Sequence, residues 1–343
     1  MSALRDRDRI VVLASRRGFE SLVGRLPAGW RGRVRFVKPK AFRRVQASLD
    51  AARLVVSKST LRPEVIRPIL AARRAGVPTL LLVDGPLEWS NLHAHPRLGS
   101  AGFDALYDPV VHDAVAPIGD PQRRWIEAHN AGRGVAFMPY ACRRIRTDPP
   151  RRRAPGAPGF DFLLATARTP WFGDDERRRL ASRLRALGEA LARGGHRVLV
   201  RVPDAGLRAL IRSVLPRARF TTRGSSACAI GRARCVIGTS SSVLLEAMHH
   251  DRPTALLPFR ERPLFYGCGW VLGAPAEWAG DFAAMCARDP SRMAAQREAI
   301  RAQLSSDDFF AGCDALLQGP RLLAPRPFDA LDRGVESRLA SAR

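Results

Sequence analysis

The sequence has few lysines, and its cysteines lack the spacings typical of metal or disulfide sites. Lysine occurs only at positions 38, 40 and 58, so nearly all of the 57 basic residues are arginines. The six cysteines include no Cys-x-x-Cys pair and no series of close spacings, which indicates a reducing compartment. No Cys/His cluster has the spacing of zinc ligands, and we therefore expect no metal site.

Long apolar runs are also missing. The longest runs, such as 79–83 and 254–258, fall far short of the roughly 20 residues that a membrane-spanning helix needs. The first ten residues, MSALRDRDRI, are charged and contain no apolar signal-peptide segment. We therefore expect a cytoplasmic protein, either soluble or peripheral at the inner face of the cytoplasmic membrane.

Acidic residues are outnumbered, and the formal net charge is +25. Such a charge can serve an anionic membrane surface, an anionic substrate or nucleic acid, or it can reflect an arginine-rich composition spread over the whole chain. Aromatic residues make up only 7% of the chain and are not interleaved with the basic ones. A stacking platform for single-stranded nucleic acid is therefore not expected, and a nucleic-acid partner is unlikely on this pattern.

Strand-like and helix-like segments alternate along the chain, and they do so twice. In the first half, strands are predicted at 9–14, 34–37, 54–57 and 78–83, with weaker candidates at 103–107 and 134–138. Helices are predicted at 19–26, 42–49 and 63–75, and loop and helix at 112–129. The pattern restarts at Phe160 with strands at 160–165, 196–202, 219–222, 235–237 and 254–258. Helices are predicted there at 174–193, 205–215, 241–250, 277–287 and 291–304.

This alternation predicts an α/β protein with two Rossmann-like, doubly wound domains. The stretch 143–159 is rich in proline and arginine and reads as a linker. We accordingly predict an N-terminal domain at 1–142, the linker, a C-terminal domain at 160–320, and a tail at 321–343 that crosses the surface or frays.

Small hydroxyl residues and arginines follow the strands of the second domain. In open parallel sheets, ligands bind beyond the carboxyl ends of the strands, so these side chains form a candidate anion site. The hydroxyl-rich turn at 239–242 directly precedes a helix, whose N-terminal N–H groups and dipole favour a phosphate. Arginine could neutralise the charge of such a ligand. The candidates are Thr166, Arg168, Arg201, Gly238, Thr239, Ser240, Ser241 and Ser242.

The segment GTSSSVLLEAMHHDRPTALL resembles the donor-facing part of GT-B glycosyltransferases. The resemblance implies that residues 239–242 bind the pyrophosphate of a nucleotide sugar and that Glu246 binds its ribose. Spacing alone favours a helix-surface Glu246 paired with an arginine over a ribose-binding Glu246. Asp251 precedes Arg252-Pro253 in a loop where the family often has glycine. Nucleotide-sugar 2-epimerases of the same fold share the motif, and the chain more broadly resembles bacterial surface and capsular polysaccharide transferases.

The stretch DGPLEWSNLHAH follows the fourth predicted strand and is rich in functional side chains. A transferase that inverts needs a general base for the acceptor hydroxyl, and Asp84, Glu88 and His93 are the candidates. Trp89 offers a surface on which a sugar could stack. The alternative is a polar loop with a buried tryptophan anchor. His112 and Asp113 form a second, lower-ranked pair.

From these patterns we expect a glycosyltransferase with two domains facing across a cleft, with the donor on the C-terminal side and the acceptor on the N-terminal side. It would move a sugar from a nucleotide-activated donor to a cell-envelope glycan or glycolipid, without metal or further cofactor. One alternative is a nucleotide-sugar 2-epimerase of the same fold. Another is a non-catalytic GT-B-like protein or a basic polyanion-binding protein, whose binding would depend steeply on salt.

Overall fold

A computed structural model resolves the chain into two compact units. It describes residues 9–38, 49, 52–58, 62–101, 103–146, 159–260, 267–318 and 325–341. The first unit comprises Met1–Asp84, Asn91–Arg144 and Gln303–Arg343, and the second comprises Gly85–Ser90 and Ile145–Ala302. This division differs from the predicted boundaries because Gly85–Ser90 joins the second unit and the chain from Gln303 onward joins the first. The predicted helix at 42–49, apart from residue 49, and most of the predicted linker lie outside the described residues.

The first unit is built on a six-stranded parallel sheet of order β2-β1-β3-β4-β5-β6. All four residues of β4 are buried, as its unbroken apolar sequence predicts for a strand covered on both faces. The strands are β1 (Arg9–Val12), β2 (Val34–Phe36), β3 (Ala52–Ser57), β4 (Thr79–Leu82), β5 (Ala114–Ala116) and β6 (Ala136–Phe137).

Of the helices that accompany this sheet, α2 begins and ends where the sequence signals it, whereas the helix predicted at 19–26 lies three residues earlier, at Arg16–Val23. Helix α2 has Pro63 in its first turn and Arg73 and Arg74 in its last, and Gly76 beyond its end has a φ of 68°. The helices are α1 (Arg16–Val23), α2 (Pro63–Arg74), α3 (Trp89–His93), α4 (Leu98–Ala101) and α5 (Asp120–His129), and a short 3-10 turn spans Ala28–Trp30.

Two predictions for the first unit are wrong. The segment 103–107 forms no strand and makes only an isolated bridge between Ala105 and Asp108, because the chain turns at Tyr107 with a φ of 66°. The strand β5 falls instead within 112–129, which was predicted as loop and helix. Its three residues are too few to show a periodicity.

The C-terminal part of the chain packs on the first unit rather than fraying. It contains α12 (Phe309–Gln318) and α13 (Ala330–Ser341). Phe309 and Phe310 are buried among aromatic rings of the first unit, with ring centroids 5.6 Å from Phe19 and 4.9 Å from Trp30 respectively. These contacts explain why this segment belongs to the first unit.

A buried charge network fixes the remainder of the C-terminal segment. Arg73 Nε lies 3.2 Å from Asp113 Oδ1, and the same guanidinium pairs with Asp332 of α13. Asp113 also accepts hydrogen bonds from the backbone N–H and the hydroxyl of Thr79, at 2.9 and 2.7 Å. Arg326 donates to the His112 carbonyl oxygen at 2.7 Å. The two buried carboxylates therefore balance a fully buried guanidinium.

His112 and Asp113, the lower-ranked candidate pair, are thus part of this core. His112 is fully buried, and its Nε2 lies 2.8 Å from the Ser57 hydroxyl oxygen. Burial, assisted by Arg326 and Arg73, lowers the pKa of His112 to about 3. The ring is therefore neutral at physiological pH and serves the packing of the sheet.

The second unit has its own six-stranded parallel sheet, of order β12-β11-β10-β7-β8-β9. The predicted strands of this half are confirmed, and β12 is an addition. The strands are β7 (Phe160–Ala165), β8 (Val198–Arg201), β9 (Arg219–Phe220), β10 (Ala233–Gly238), β11 (Thr254–Leu256) and β12 (Trp270–Val271).

The helices of the second unit bury a leucine-rich stripe and two tryptophans. Leu180, Leu184, Leu187 and Leu191 recur along one face of α6, and Trp278 lies in the same core. The helices are α6 (Asp174–Arg193), α7 (Ala205–Val214), α8 (Ser226–Ile230), α9 (Ser242–His249), α10 (Trp278–Ala287) and α11 (Pro290–Gln303). Within the described ranges, no helix combines the length and the apolar character needed to span a bilayer.

The Asp113→Asn substitution should destabilise the first unit. It removes one of the two carboxylates that balance Arg73, and breaking a buried pair typically costs about 3–5 kcal/mol. The matched control is Asp120→Asn on α5, where the carboxylate is half exposed and a surface pair contributes about 0–1 kcal/mol. Urea denaturation of both variants measures the difference. Equal losses would show that the Arg73 network contributes no special stability.

The free energy of unfolding should also decrease as the pH is lowered below 6.5, because His112 is buried as a neutral ring. Its pKa is below the ordinary value of 6.5 in the folded state, so the unfolded chain binds the proton more tightly. The contribution is therefore fully present above pH 6.5, and it declines below that pH by about 1.4 kcal/mol per pH unit. Urea denaturation between pH 7.5 and 5 tests this. His112→Gln should show a shallower decline, and an unchanged slope would assign the effect to another group.

Candidate functional site

The carboxyl ends of four neighbouring strands in the second unit lie level with one another. Ala165 of β7 pairs with Arg201 of β8 on one side and with Gly238 of β10 on the other, and Gly238 pairs with Leu256 of β11. The residues that follow these strands must therefore emerge side by side at one edge of the sheet. This register brings together the post-strand residues that the sequence singled out.

The loops after β7 and β10 are tied to each other by hydrogen bonds. The Ala167 N–H donates to the Thr239 hydroxyl oxygen at 3.0 Å, and the Thr239 N–H donates to the Ala165 carbonyl oxygen at 3.2 Å. Thr239 is buried and therefore holds the loop, rather than offering its hydroxyl freely. The hydroxyl oxygen of Thr166 is also buried, and among the described residues it has no hydrogen-bond partner. Thr166 therefore keeps an unused acceptor and donor at this edge.

Gly238 is required by the closeness of the two strands. A Cβ at this position would lie 2.5 Å from the Ala165 carbonyl oxygen and 3.2 Å from a Leu244 methyl group. The backbone is immovable here because both strands are paired on both sides. Because glycine has no Cβ, the end of β10 can lie against the Ala165 carbonyl oxygen, which any larger residue would prevent.

Helix α9 begins directly at the hydroxyl-rich turn. Ser241 is its N-cap residue, with an extended φ of −171°, and the first helical residue is Ser242. The N–H groups of the first helical turn have no carbonyl partner inside the helix, and the helix dipole adds positive character there. Ser241 and Ser242 are half-buried at this end. The turn is therefore suited to an anionic group such as a phosphate.

Glu246 lies on α9 between Leu245 and Ala247 and is only 3% exposed. It is therefore not a helix-surface glutamate of the kind that spacing alone left open. A carboxylate is costly to bury and needs polar company. Its position one turn beyond Ser242 fits the role that the family resemblance implies, and that role stays a prediction.

The two predicted arginines differ in their surroundings. Arg201 donates to the carbonyl oxygens of Arg223 and Gly224 at 3.2 and 2.9 Å, so it orders the loop after β9. Arg168 is exposed two residues beyond Thr166. Of the two, Arg168 has the exposed guanidinium, and the ligand-binding role of both arginines stays a prediction.

Asp251 occupies a left-handed position in the loop after α9, with a φ of 54°. Glycine adopts this conformation most easily, and aspartate tolerates it better than most residues. Arg288 and Arg297 lie 2.5 and 2.8 Å from its carboxylate. Hydrogen bonds from Arg297, followed by the charge of both arginines, hold the pKa of Asp251 below its usual value. The departure from glycine is thus supported by ion pairs.

The three base candidates fall in different surroundings. Asp84 and His93 belong to the first unit, and Glu88 belongs to the second. Asp84 follows β4 half-buried, and its carboxylate lies 4.0 Å from Arg144. Partial desolvation, followed by His129, lowers the pKa of the largely exposed His93, which keeps its imidazole neutral as a base requires. The assignment of a base among them stays a prediction.

Glu88 is engaged in a buried ion network that the sequence did not reveal. Its Oε1 lies 2.6 Å from Nε of Arg260, and Nη1 of Arg260 lies 2.8 Å from Oε2 of Glu176. Phe172 and Phe259 flank the guanidinium, with ring centroids 4.8 and 5.1 Å from its central carbon. Glu88 is thus held by Arg260, and its assignment as a base stays a prediction. Only the place of Arg260 just after β11 could have pointed to this network in the sequence.

Comparisons with known proteins agree with this architecture. Neither the models of protein families nor the curated proteins gave a match to the chain. Among solved structures, a Listeria monocytogenes protein described as a UDP-N-acetylglucosamine 2-epimerase is similar with a TM-score of 0.60 at 10% identity. The alignment covers 90% of this chain and 95% of that one.

Two glycosyltransferase structures are also similar. A glycosyltransferase from Rickettsia africae has a TM-score of 0.53 at 8% identity, with 90% of each chain covered. Staphylococcus aureus TarM, solved with fondaparinux, α-GlcNAc-glycerol and UDP, has a TM-score of 0.52 at 10% identity, covering 80% of this chain and 58% of that one. At these identities the likeness shows the fold. The chain has the GT-B fold of two Rossmann-like domains, as the sequence predicted.

The Gly238→Ala substitution should damage the site through the backbone. The added methyl group meets the Ala165 carbonyl oxygen, and overpacking of this kind costs about 1–3 kcal/mol. Gly273→Ala is the matched control, because a Cβ there has its nearest contact at 3.4 Å. Thermal denaturation of both variants measures the effect. Equal melting temperatures would show that β7 and β10 separate at no cost.

Proposed function

We propose that this chain is a glycosyltransferase that moves a sugar from a nucleotide-activated donor to a cell-envelope glycan or glycolipid. The observation that carries the proposal is the level edge of the second sheet, where the hydroxyl turn, the start of α9 and the buried Glu246 come together. Ligands of open parallel sheets bind at this edge, where the helix start can bind a phosphate and Glu246 can bind the ribose of the same nucleotide sugar. TarM and S. aureus MnaA, both similar in fold, were solved with UDP.

In the proposed reaction, the second unit binds the donor. The α9 N–H groups, with Ser241 and Ser242, hold the diphosphate, while Glu246 accepts hydrogen bonds from the ribose hydroxyls. An acceptor hydroxyl oxygen attacks the anomeric carbon, and the bond from that carbon to the diphosphate oxygen breaks. The nucleoside diphosphate leaves with the electron pair, and the acceptor proton passes to a base, for which Asp84, Glu88 and His93 are the candidates.

We further propose that no metal is needed, because Arg168 and the helix dipole can stabilise the leaving diphosphate. A cytoplasmic location at the inner membrane face would bring the basic protein to anionic lipid or glycan.

A same-fold epimerase is the second candidate, favoured by the similarity to the Listeria monocytogenes structure. An epimerase would change the sugar of the nucleotide sugar with no acceptor present. Incubation with a nucleotide sugar alone, followed by product analysis, separates the two. A converted sugar without acceptor would support the epimerase, and an acceptor-dependent release of nucleoside diphosphate would support the transferase.

The decisive experiment is a thermal-shift screen with UDP, GDP, CDP and CMP compounds, followed by Glu246→Gln. At least one nucleotide should raise the melting temperature, since a ligand at 100 times its Kd stabilises by about 2.7 kcal/mol. Glu246→Gln should weaken that nucleotide by about tenfold, because one charged hydrogen bond to the ribose is lost.

Glu189→Gln is the matched control, since Glu189 is exposed on α6, away from the sheet edge. Its nucleotide affinity should equal that of the unchanged protein. The absence of stabilisation by every nucleotide would contradict the proposed function. Equal nucleotide affinities of the two variants would contradict the role of Glu246 alone.

A further inference from the structure

One tryptophan of the second unit is exposed although its chain neighbours are buried. Trp89 is 40% exposed, whereas Leu87, Glu88 and Ser90 are 5%, 4% and 4% exposed. A single exposed hydrophobic side chain is common on a protein surface, so the exposure alone assigns no role to Trp89. The backbone on either side of Trp89 is fixed, so its exposed indole ring is held in position to contact a ligand.

The fixation comes from hydrogen bonds to both neighbours. Glu88 binds Arg260 as described above, and the Ser90 hydroxyl donates to Glu176 Oε1 at 2.9 Å. Glu176 also accepts from the Phe172 N–H at 2.8 Å, and this bond helps to hold its pKa below its usual value against the opposing effect of burial. Glu176 therefore stays charged and joins Ser90 to Arg260. A side chain between two such anchors loses little conformational freedom on binding a ligand.

The same network forms one wall of a cavity. A cavity of about 980 Å³ lies between the first turns of α6 and the loops that follow β11 and β12. Arginines and a serine dominate its polar lining, and no acidic residue lines it within the described part of the chain. The lining residues that matter are Arg178, Arg179, Ser182, Arg183 and Arg260.

Only part of this positive charge is balanced. Arg260 is compensated by Glu88 and Glu176, and Arg178 and Arg179 share Asp175. Arg183 instead donates to the carbonyl oxygens of Leu272 and Gly273 at 2.5 and 2.9 Å. Among the described residues, no carboxylate lies within ion-pair distance of it. Its guanidinium lies over the Trp278 ring, 4.9 Å from the centroid.

The remaining charge fits one acidic group, not a polyanion. Exposed Glu277 lies beside Gly273 at the rim, so the charges of the described residues around the cavity are close to balanced. An aromatic face together with a fork of guanidinium donors and a hydroxyl is the combination that binds a sugar ring and its polar substituents. One uncompensated arginine adds a preference for a single carboxylate or phosphate.

We propose that Trp89 and the arginine-lined cavity form an acceptor subsite for a glycan that carries an acidic substituent. Trp89 stacks on a sugar ring, and Arg183 with Arg179 binds the acidic group, whether it is a uronate carboxylate or a sugar phosphate. This inference rests on the proposed glycosyl transfer, and it adds the chemical class of the acceptor. Because Trp89 and the cavity residues belong to the second unit, it departs from the expectation that the acceptor binds only on the N-terminal side.

The test measures binding of paired probes by calorimetry and tryptophan fluorescence. The probes are trigalacturonic acid, a sialyl trisaccharide and galactose 6-phosphate, each with its neutral counterpart. At least one acidic probe should bind about tenfold more tightly than its counterpart, the gain expected of one charge-assisted hydrogen bond. The absence of any acidic preference overturns the proposal. The arm that shows the preference identifies the acid as carboxylate or phosphate.

The variants separate the subsite from the general basic charge. Trp89→Ala should weaken the bound probe by about tenfold, as for an aromatic contact residue, and Trp89→Phe should retain most of the affinity. Arg179→Gln and Arg183→Gln should remove the preference for the acid and leave binding of the neutral counterpart unchanged. Because Arg183 is also a packing residue, its variant is judged only if its melting temperature is unchanged, and the exposed Arg179 carries the test otherwise.

Arg185→Gln is the matched control, since Arg185 is exposed on the same helix and does not line the cavity. It should bind the probe as the unchanged protein does. Equal weakening by Arg185→Gln and Arg179→Gln would reduce the effect to general electrostatic attraction and overturn the proposal. Nucleotide stabilisation should persist in every variant. Loss of nucleotide binding in the unchanged protein would contradict the proposed function alone, and loss of probe binding alone would contradict the acceptor subsite.

Discussion

The candidate site depends on the close approach of β7 and β10. At Gly238 the backbone passes so near the Ala165 carbonyl oxygen that a single methyl group could not be placed between them. This approach lets the loops after the two strands bind each other through Ala167 and Thr239. The start of α9 is fixed as a consequence, because only Ser240 separates Thr239 from the N-cap residue Ser241. A helix N-terminus can bind an anion strongly only if it is held in place before the ligand arrives.

Buried arginines give both units their internal order, and they do so in the same way. Arg73 in the first unit and Arg260 in the second each lie between two carboxylates and are almost fully buried. Such a guanidinium is tolerated only because its charge is matched and its donors are used. The compensated arginines add no net charge, so the excess of +25 resides in other positions. If the positive charge serves to bind an anionic partner, the exposed arginines must therefore provide it.

Much of the fold could be predicted because short stretches of sequence specify its helices and strands. The apolar run of β4, the proline and glycine that bound α2, and the leucine stripe of α6 each specify an element without help from distant residues. Elements without a local signature were missed. The strand β5 has three residues, and a stretch rich in proline and arginine that resembles a tail separates α12 from α13. The positions of α12 and α13 are decided by Phe309, Phe310 and Asp332, whose partners Phe19, Trp30 and Arg73 are more than 200 residues away in sequence.

The sequence by itself determined the two Rossmann-like domains and the row of hydroxyl and arginine residues after the strands of the second one. Periodicity and the order of strands and helices suffice for this, because parallel strands must end at one edge. Only the tertiary structure decided the environment of each side chain. It buried Glu246, engaged Arg201 with a loop, paired Glu88 with Arg260, and left Trp89 exposed between two anchored neighbours. Burial and ion pairing arise from contacts between distant segments, and a local pattern carries no record of them.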